Sequence, residues 1–312
     1  MKKFLLATTM LAGTTGFAAA EVAVSGYAEM GILTVTAENG TSNSTFHQDV
    51  EVTFTMSGET DGGLSFGAAI DLDETNVAAF DDSGTTVFVS GAFGKVTMGD
   101  TDGALDWAVQ DAGSLTSMGD DHTTHIAYFS ANGFDGSHDG QIVRYEYAMG
   151  DFGVAVSYEQ AAQGANVAID DNVGLGATYS MDVSGTALKL GLGYQAGSVG
   201  GVNGDVWGVS VGAELAGGFS GVIGYTNTAL DGLNNDITRT GVGLTYKTGA
   251  LSVHANYGAI DAEGVAGTTD SYGLAANYDL GGGAVVMVGY GSDVAAARGN
   301  QSQWSAGLGL SF

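Results

Sequence analysis

The 312-residue sequence contains no cysteine and no proline, and it has only eight basic residues against 35 acidic ones. Without cysteine the chain forms neither disulfides nor a thiolate metal site. The formal net charge of −27 attracts cations and repels nucleic acid, so no nucleic-acid partner is expected. Beyond the amino terminus, no apolar run approaches the roughly 20 residues that a membrane-spanning helix needs. If the chain lies in a membrane, it therefore crosses it with strands.

The amino terminus has the pattern of a secretory leader. Two lysines precede the apolar stretch FLLATTMLAGTTGFA, and an Ala-Ala-Ala cleavage site follows it before Glu21. We interpret residues 1–20 as a cleaved signal peptide. The alternative is a membrane-anchoring helix, for which the apolar stretch is short. No change in composition divides the rest of the chain, so residues 21–312 are predicted to form one domain.

Alternation between apolar residues and small or polar residues recurs along the whole chain, which contains 53 glycines. In the final stretch, QWSAGLGLSF, one face carries Trp304, Leu308 and Phe312, and the other carries only serine and glycine after Gln303. Sixteen segments of this kind lie near residues 22–35, 46–57, 64–73, 85–91, 94–100, 141–149, 152–160, 172–180, 186–196, 205–216, 218–227, 237–247, 250–260, 270–279, 283–291 and 302–312. Short turns and longer polar connections alternate between them, and the longest connection is 101–140.

This pattern predicts an all-β fold, a 16-stranded antiparallel transmembrane β-barrel. Sixteen strands leave about 18 residues for each strand and its connection, and a spanning strand takes about ten. Closure removes the sheet edges and pairs every backbone group inside the lipid. A barrel of this size encloses water, so the apolar face would meet lipid and the small polar face would meet the channel. The alternative, a soluble β-sandwich or β-solenoid, would need bulky residues facing a core, and the glycine and serine positions argue against it.

Three stretches resemble the general diffusion porins of alphaproteobacteria, the Rhodobacter-type family: FTMSGETDGGLSFGAAI (54–70), VFVSGAFGKVTMGD (87–100) and YDLGGGA (278–284). The resemblance implies a homotrimer in the outer membrane of a Gram-negative bacterium, in contact with its lipid and lipopolysaccharide. It implies that residues 101–140, called the long loop below, fold into the barrel as a constriction loop. It also implies that the terminal Phe312 is recognised by the barrel-assembly machinery.

Acidic residues dominate both regions that would border such a channel. The long loop has no lysine or arginine, and its aspartates are Asp102, Asp106, Asp111, Asp120, Asp121, Asp135 and Asp139. The channel-facing positions of the first three predicted strands include Glu29, Asp49, Glu51, Asp71 and Asp73. By resemblance, the first three of these stand where the family commonly has arginines. Arg144 is the best candidate for a remaining basic group on the wall, so the charges favour cations.

The acidic segment GDD offers a candidate cation site. Carboxylate oxygens are the ligands that Ca²⁺ prefers, and Asp120 and Asp121 are therefore candidate Ca²⁺ ligands. With His122 and His125 nearby, another metal is an alternative. Spacing typical of an EF-hand is absent, so a solvated acidic rim is the other interpretation. The predicted function requires no cofactor.

The function predicted is passive diffusion of ions and small hydrophilic solutes through a water-filled, cation-selective channel without catalytic residues. A substrate-specific channel, for example for sugars, is one alternative, although most tyrosines and tryptophans fall on the outward positions. A membrane-embedded hydrolase is another, because Ser65 and Ser210 lie in G-x-S-x-G matches. A nucleophile elbow, however, needs a strand, a sharp turn and a helix. A third alternative is a structural or adhesive barrel with a plugged lumen.

Overall fold

The computed structural model of the chain describes residues 21–73, 84–113, 115–120, 125–138, 141–160, 170–232, 236–295 and 299–312. These ranges contain sixteen strands, the short helix α1 (Ala104–Ala108) and a 3₁₀ turn (Met118–Asp120). The strands are β1 (Glu21–Thr36), β2 (Ser42–Glu59), β3 (Ser65–Asp73), β4 (Thr85–Gly91), β5 (Gly94–Gly99), β6 (Ile142–Met149), β7 (Phe152–Glu159), β8 (Asn172–Val183), β9 (Thr186–Val199), β10 (Val202–Glu214), β11 (Phe219–Leu230), β12 (Ile237–Thr248), β13 (Leu251–Ala262), β14 (Thr269–Gly281), β15 (Ala284–Ala295) and β16 (Gly299–Ser311). Within the described residues, no helix is long and apolar enough to cross a membrane.

The strands form one closed antiparallel barrel in which each strand pairs with its neighbours in the sequence. β1 also pairs with β16, where Tyr27 lies opposite Ser311. The last residue completes this pairing, because the Phe312 N–H donates to the Gly26 carbonyl at 2.8 Å. The predicted 16-stranded antiparallel barrel is therefore confirmed.

The strand boundaries follow the alternation, with a notable extension in β2. β4 begins and ends where the sequence predicts, at Thr85 and Gly91. β2 begins at Ser42 rather than at residue 46. Hydroxyl pairs across β1 and β2 continue the ladder beyond the apolar residues, since the Ser42 and Thr36 oxygens lie 2.9 Å apart.

The two faces of the barrel differ as the alternation predicts. Apolar side chains such as Met30, Ile32 and Leu244 are exposed on the outer surface, whereas Ser271 and Ser305 are fully buried inside. Aromatic side chains pair in contact, and these pairs are Phe152–Tyr179, Trp207–Tyr225, Phe219–Tyr246 and Tyr272–Tyr290. Phe152–Tyr179 and Phe219–Tyr246 lie beside the short turns, and such aromatic girdles are typical of the two interfaces of a membrane.

Candidate functional site

The long loop lies inside the barrel, against the inner wall. Its backbone N–H groups donate to serine hydroxyls on three separate strands, β7, β10 and β14. These bonds join Ala104 to Ser157, Gln110 to Ser210 and Ala127 to Ser271, at 2.8, 2.8 and 2.9 Å. Since each serine belongs to the inner face of its strand, the wall satisfies backbone groups that would otherwise lack a partner.

At other points the loop backbone lies directly against glycines of the wall. A Cβ placed on Gly243 would overlap the carbonyl oxygen of Ala112, and one on Gly258 would overlap that of Ala127. Gly176, Gly191 and Gly241 are covered by the loop in the same way. The alternation predicted that this small-residue face would meet the channel water, whereas in the structure the loop covers much of it. Glycine is needed there because a methyl group would occupy the space of the loop backbone.

A small apolar core fills the space between the loop and the wall. Its buried members are Leu105, Val109, Ala112, Phe129, Ala131, Phe134 and Val206. Six of the seven belong to the loop, and Phe129 is fully buried against the glycines of β11 and β12. The loop therefore packs as a folded element with its own hydrophobic contacts.

The segment ALDWAVQDA near the start of the long loop contains α1, which packs against β7, β8 and β9. Gly103, just before the helix, has no capping side chain of its own, and the Asp135 carboxylate accepts its N–H at 2.7 Å. Asp135 also accepts a hydrogen bond from Gln195 on β9, at 2.6 Å. One aspartate thus joins the start of the loop, its return segment and the wall.

Burial and mutual repulsion raise the pKa values of the loop carboxyl groups. Burial, followed by the charges of Asp111, Asp102 and Asp135, raises the pKa of Asp106 to about 8. Burial is also the largest cause that raises the pKa values of Asp111 and Asp135 to about 6. Near neutral pH, the loop therefore carries fewer negative charges than it has aspartates.

The wall of the first three strands carries the other predicted carboxylates, brought together by the strand register. Asp49 lies opposite Glu29, and Glu51 lies opposite Asp73. The Thr53 hydroxyl donates to Asp71 at 3.0 Å. The side chains of Asp73 and Asp120, and all of Asp121 and Asp139, lie outside what the structure describes.

Arg144, the predicted basic group of the wall, is surrounded by acidic partners. It is 7% exposed, and its guanidinium donates to the main-chain carbonyl of Asp102. Its Nε lies 3.3 Å from Glu146, which in turn lies 3.7 Å from Lys95. The Asp102 carboxylate also lies 4.0 Å from the guanidinium, so two acidic residues oppose two basic ones, and Arg144 adds little uncompensated positive charge to the channel.

The loop does not fill the barrel. A cavity of about 870 Å³ opens between Ala112 of the loop and the short-turn ends of β8 to β13. Its charged lining residues are Asp151, Asp182, Lys189 and Glu214. This cavity lies on the short-turn side of the loop.

Comparison with known proteins decides the family. A model of the Gram-negative porin family matches residues 7–295. The porin of Rhodobacter capsulatus is 32% identical over 293 residues, which cover 86% of this chain and 93% of that protein. The chain belongs to the Gram-negative porin family.

Solved porin structures share the barrel of this porin. A porin structure refined at 1.8 Å resolution superposes with a TM-score of 0.75 at 25% identity, covering 94% of this chain and 100% of the other. An anion-selective porin from Comamonas acidovorans gives a TM-score of 0.68 at 18% identity, covering 94% and 100%. At this lower identity the likeness concerns the fold alone, so the sign of the charge that this porin admits depends on its own residues.

Family and barrel together place the porin in the outer membrane, as a channel rather than an enzyme. The serine matches agree with this assignment. Ser65 lies inside β3 and Ser210 inside β10, so neither occupies a strand–turn–helix elbow. A buried Ser271–His125 contact of 2.5 Å exists, but Ser271 is fully buried and also accepts the Ala127 N–H.

The structure describes the side chain of one candidate metal ligand, His125, but not those of Asp120 and Asp121. His125 binds the wall, since its ring nitrogens contact Ser271 and Asn256, and burial lowers its pKa so that the neutral ring persists at pH 7. Among the described residues, no group of three or more histidines and carboxylates is arranged to hold a metal ion. Ca²⁺ binding at Asp120 and Asp121 stays a prediction.

Sequence reasoning missed the residues that seat the loop. These residues are the serines on β7, β10 and β14 and the glycines beside them. Because their side chains are small, the sequence predicted only that they face the water of the channel. A signal was present, because glycine and serine fill the inner positions of the later strands more completely than those of β1 to β3. That asymmetry separates the covered wall from the open, acidic wall.

Proposed function

We propose that this porin is a general diffusion channel for ions and small hydrophilic solutes, and that it favours cations. The observation that carries the proposal is the distribution of charge. The long loop inside the barrel has aspartates and no basic residue, and the wall of β1 to β3 adds Glu29, Asp49, Glu51 and Asp71. Arg144 and Lys95 are matched by acidic partners. Charges of one sign in a narrow passage with low-dielectric walls focus a negative potential that draws in cations.

The proposal is tested by the zero-current potential of single channels in planar bilayers across a KCl gradient at pH 7. A cation-selective potential is expected. Replacing Asp49 with Asn and Glu51 with Gln should weaken it, with a smaller effect on conductance, because the shapes of the side chains are kept. A zero or anion-selective potential of the unmodified porin would refute the cation preference.

We also propose that the porin is a homotrimer. The support is its family and the small side chains on the outer face near the barrel closure, in SGYAEMGIL of β1 and AAI of β3, which favour close contact between barrels. Electrophoresis in mild detergent, with and without boiling, should show a heat-dissociable band near three times the monomer mass. A monomer alone, both in detergent and after crosslinking in membranes, would contradict this.

Export and assembly follow from the same resemblance. We propose that residues 1–20 are a leader cleaved before Glu21, and that the barrel-assembly machinery recognises Phe312. The Phe312 side chain is 65% exposed and is therefore accessible, while its backbone pairs with Gly26. Phe312→Ser should lower the folded yield and leave the conductance of the surviving channels nearly unchanged. A normal folded yield would count against the assembly role.

A further inference from the structure

The distal turn of the long loop, at Met118–Asp120, lies against the strands where the barrel closes. Met118 is fully buried, and its sulfur lies where a Cβ on Gly307 of β16 would stand. The Ser117 and Ser305 hydroxyl oxygens are 3.3 Å apart. The turn thus packs directly on β16.

One wall carboxylate faces the backbone of this turn. Glu29 Oε2 accepts the Gly119 N–H at 2.7 Å, and Oε1 accepts the Tyr27 hydroxyl at 2.7 Å. His47 Nε2 lies 3.3 Å from the same Oε2. Glu29 is only 5% exposed, so the loop and its neighbours cover it. Hydrogen bonds to an ionised carboxylate are stronger than those between neutral groups.

The backbone at the contact has a conformation that suits glycine. Gly119 has φ 64° and ψ 23°, which lie in the left-handed region. The Glu29 carboxylate on the wall thus meets Gly119 near the middle of the long loop, the part most distant in sequence from β5 and β6. The charges alone do not explain why Glu29 makes this contact, because Asp49, its partner on β2, carries an equal charge.

We propose that Glu29 is a positioning residue that fastens the distal turn to the wall and so keeps the channel open. The direction of the effect follows from the packing. The buried Met118 side chain already lies against Gly307 of β16, so no space remains between the turn and the wall. A released turn therefore moves into the lumen. This role does not depend on whether the channel prefers cations or anions. It differs from the role of a carboxylate that attracts ions through the electrostatic potential of the channel.

Single-channel recording separates the two roles. Glu29→Ala should give a lower mean conductance with frequent brief closures. Glu29→Gln should have a smaller effect, because the amide oxygen still accepts the Gly119 N–H. The matched control is Asp49→Asn, which removes the same charge from β2, the neighbouring strand. Asp49 makes no hydrogen bond to the part of the loop that the structure describes. The control should alter the zero-current potential and leave the openings steady.

A reversible crosslink provides the rescue. The chain has no cysteine, so Ser117→Cys and Ser305→Cys in the Glu29→Ala background introduce a single pair of thiols at a short separation. Oxidation should restore steady openings at the unmodified conductance, and reduction should abolish them again. Steady openings of Glu29→Ala, equal closures in Asp49→Asn, or failure of the formed disulfide to restore them would each overturn the proposal. If Glu29→Ala does not insert, closures in Glu29→Gln decide the question.

Discussion

The cation preference of this porin should weaken in two steps as the pH falls, one near pH 8 and a larger one near pH 6. An ordinary aspartate would lose its proton near pH 4. Burial and the charges of its neighbours raise the pKa of Asp106 to about 8, and burial raises those of Asp111 and Asp135 to about 6. Protonation of each group removes one negative charge from the loop, so selectivity falls with pH across this range.

The measurement is the zero-current potential across a KCl gradient, recorded from pH 9 to pH 4. Asp106→Asn should remove the step near pH 8 and retain the one near pH 6. A potential that stays constant down to pH 5 would contradict the prediction, because it would mean that the loop carboxyl groups titrate normally or lie away from the ion path.

The same pKa shifts have a consequence for stability, with a definite sign. Between an ordinary aspartate pKa and about 8, the folded loop binds a proton at Asp106 that the unfolded chain does not. Stability rises with pH only where the unfolded state binds more protons, so the loop packing weakens as the pH rises through this window. The loop should therefore be docked most firmly in mild acid, where the channel is least selective.

The second large effect is expected from one added side chain on the covered wall. Gly243→Val places carbon atoms where the Ala112 carbonyl oxygen lies, so the loop has to leave the wall around Ala112. Overpacking of this kind costs about 1–3 kcal/mol, and each 1.4 kcal/mol changes a population about tenfold. Because the loop is displaced inward, the conductance should fall and become noisy while the barrel still resists heat in electrophoresis.

Gly26→Ala is the matched control for this substitution. Gly26 also lies in a strand, but the nearest atom to an added Cβ is 3.5 Å away, an ordinary contact. This variant should conduct like the unmodified porin. Unchanged conductance of Gly243→Val would show that the loop does not lie against β12 in the working channel.

The fold was predictable because it depends on a short-range pattern. Alternation with period two is visible within one strand, and it identified both ends of β4. The location of the long loop was available only through the family resemblance. Its detailed path was not predictable, because Ser157, Ser271 and Gly243 show their role only when their loop partners are known.

The site was predictable as a set of charges but not as an arrangement. The sequence placed Glu29 and Arg144 on the inner face, and the structure agrees on that face. It did not indicate that Glu29 holds Gly119, or that Arg144 is enclosed by Asp102 and Glu146. These contacts join residues that are distant in the chain. The alternation of side chains between the two faces of a strand does not predict which distant residues will meet.

The closure of the barrel between β1 and β16 has a consequence that we expect for folding. The strands that meet there come from opposite ends of the chain, so this pairing has the largest sequence separation in the molecule and the greatest entropic penalty before contact. The distal turn contacts Glu29 on one of these strands and Ser305 on the other. Its docking surface therefore comes into existence only after both termini have met. A truncated chain without β16 lacks part of this surface, so we expect the distal turn to dock, and the passage to reach its working width, only after the barrel has closed.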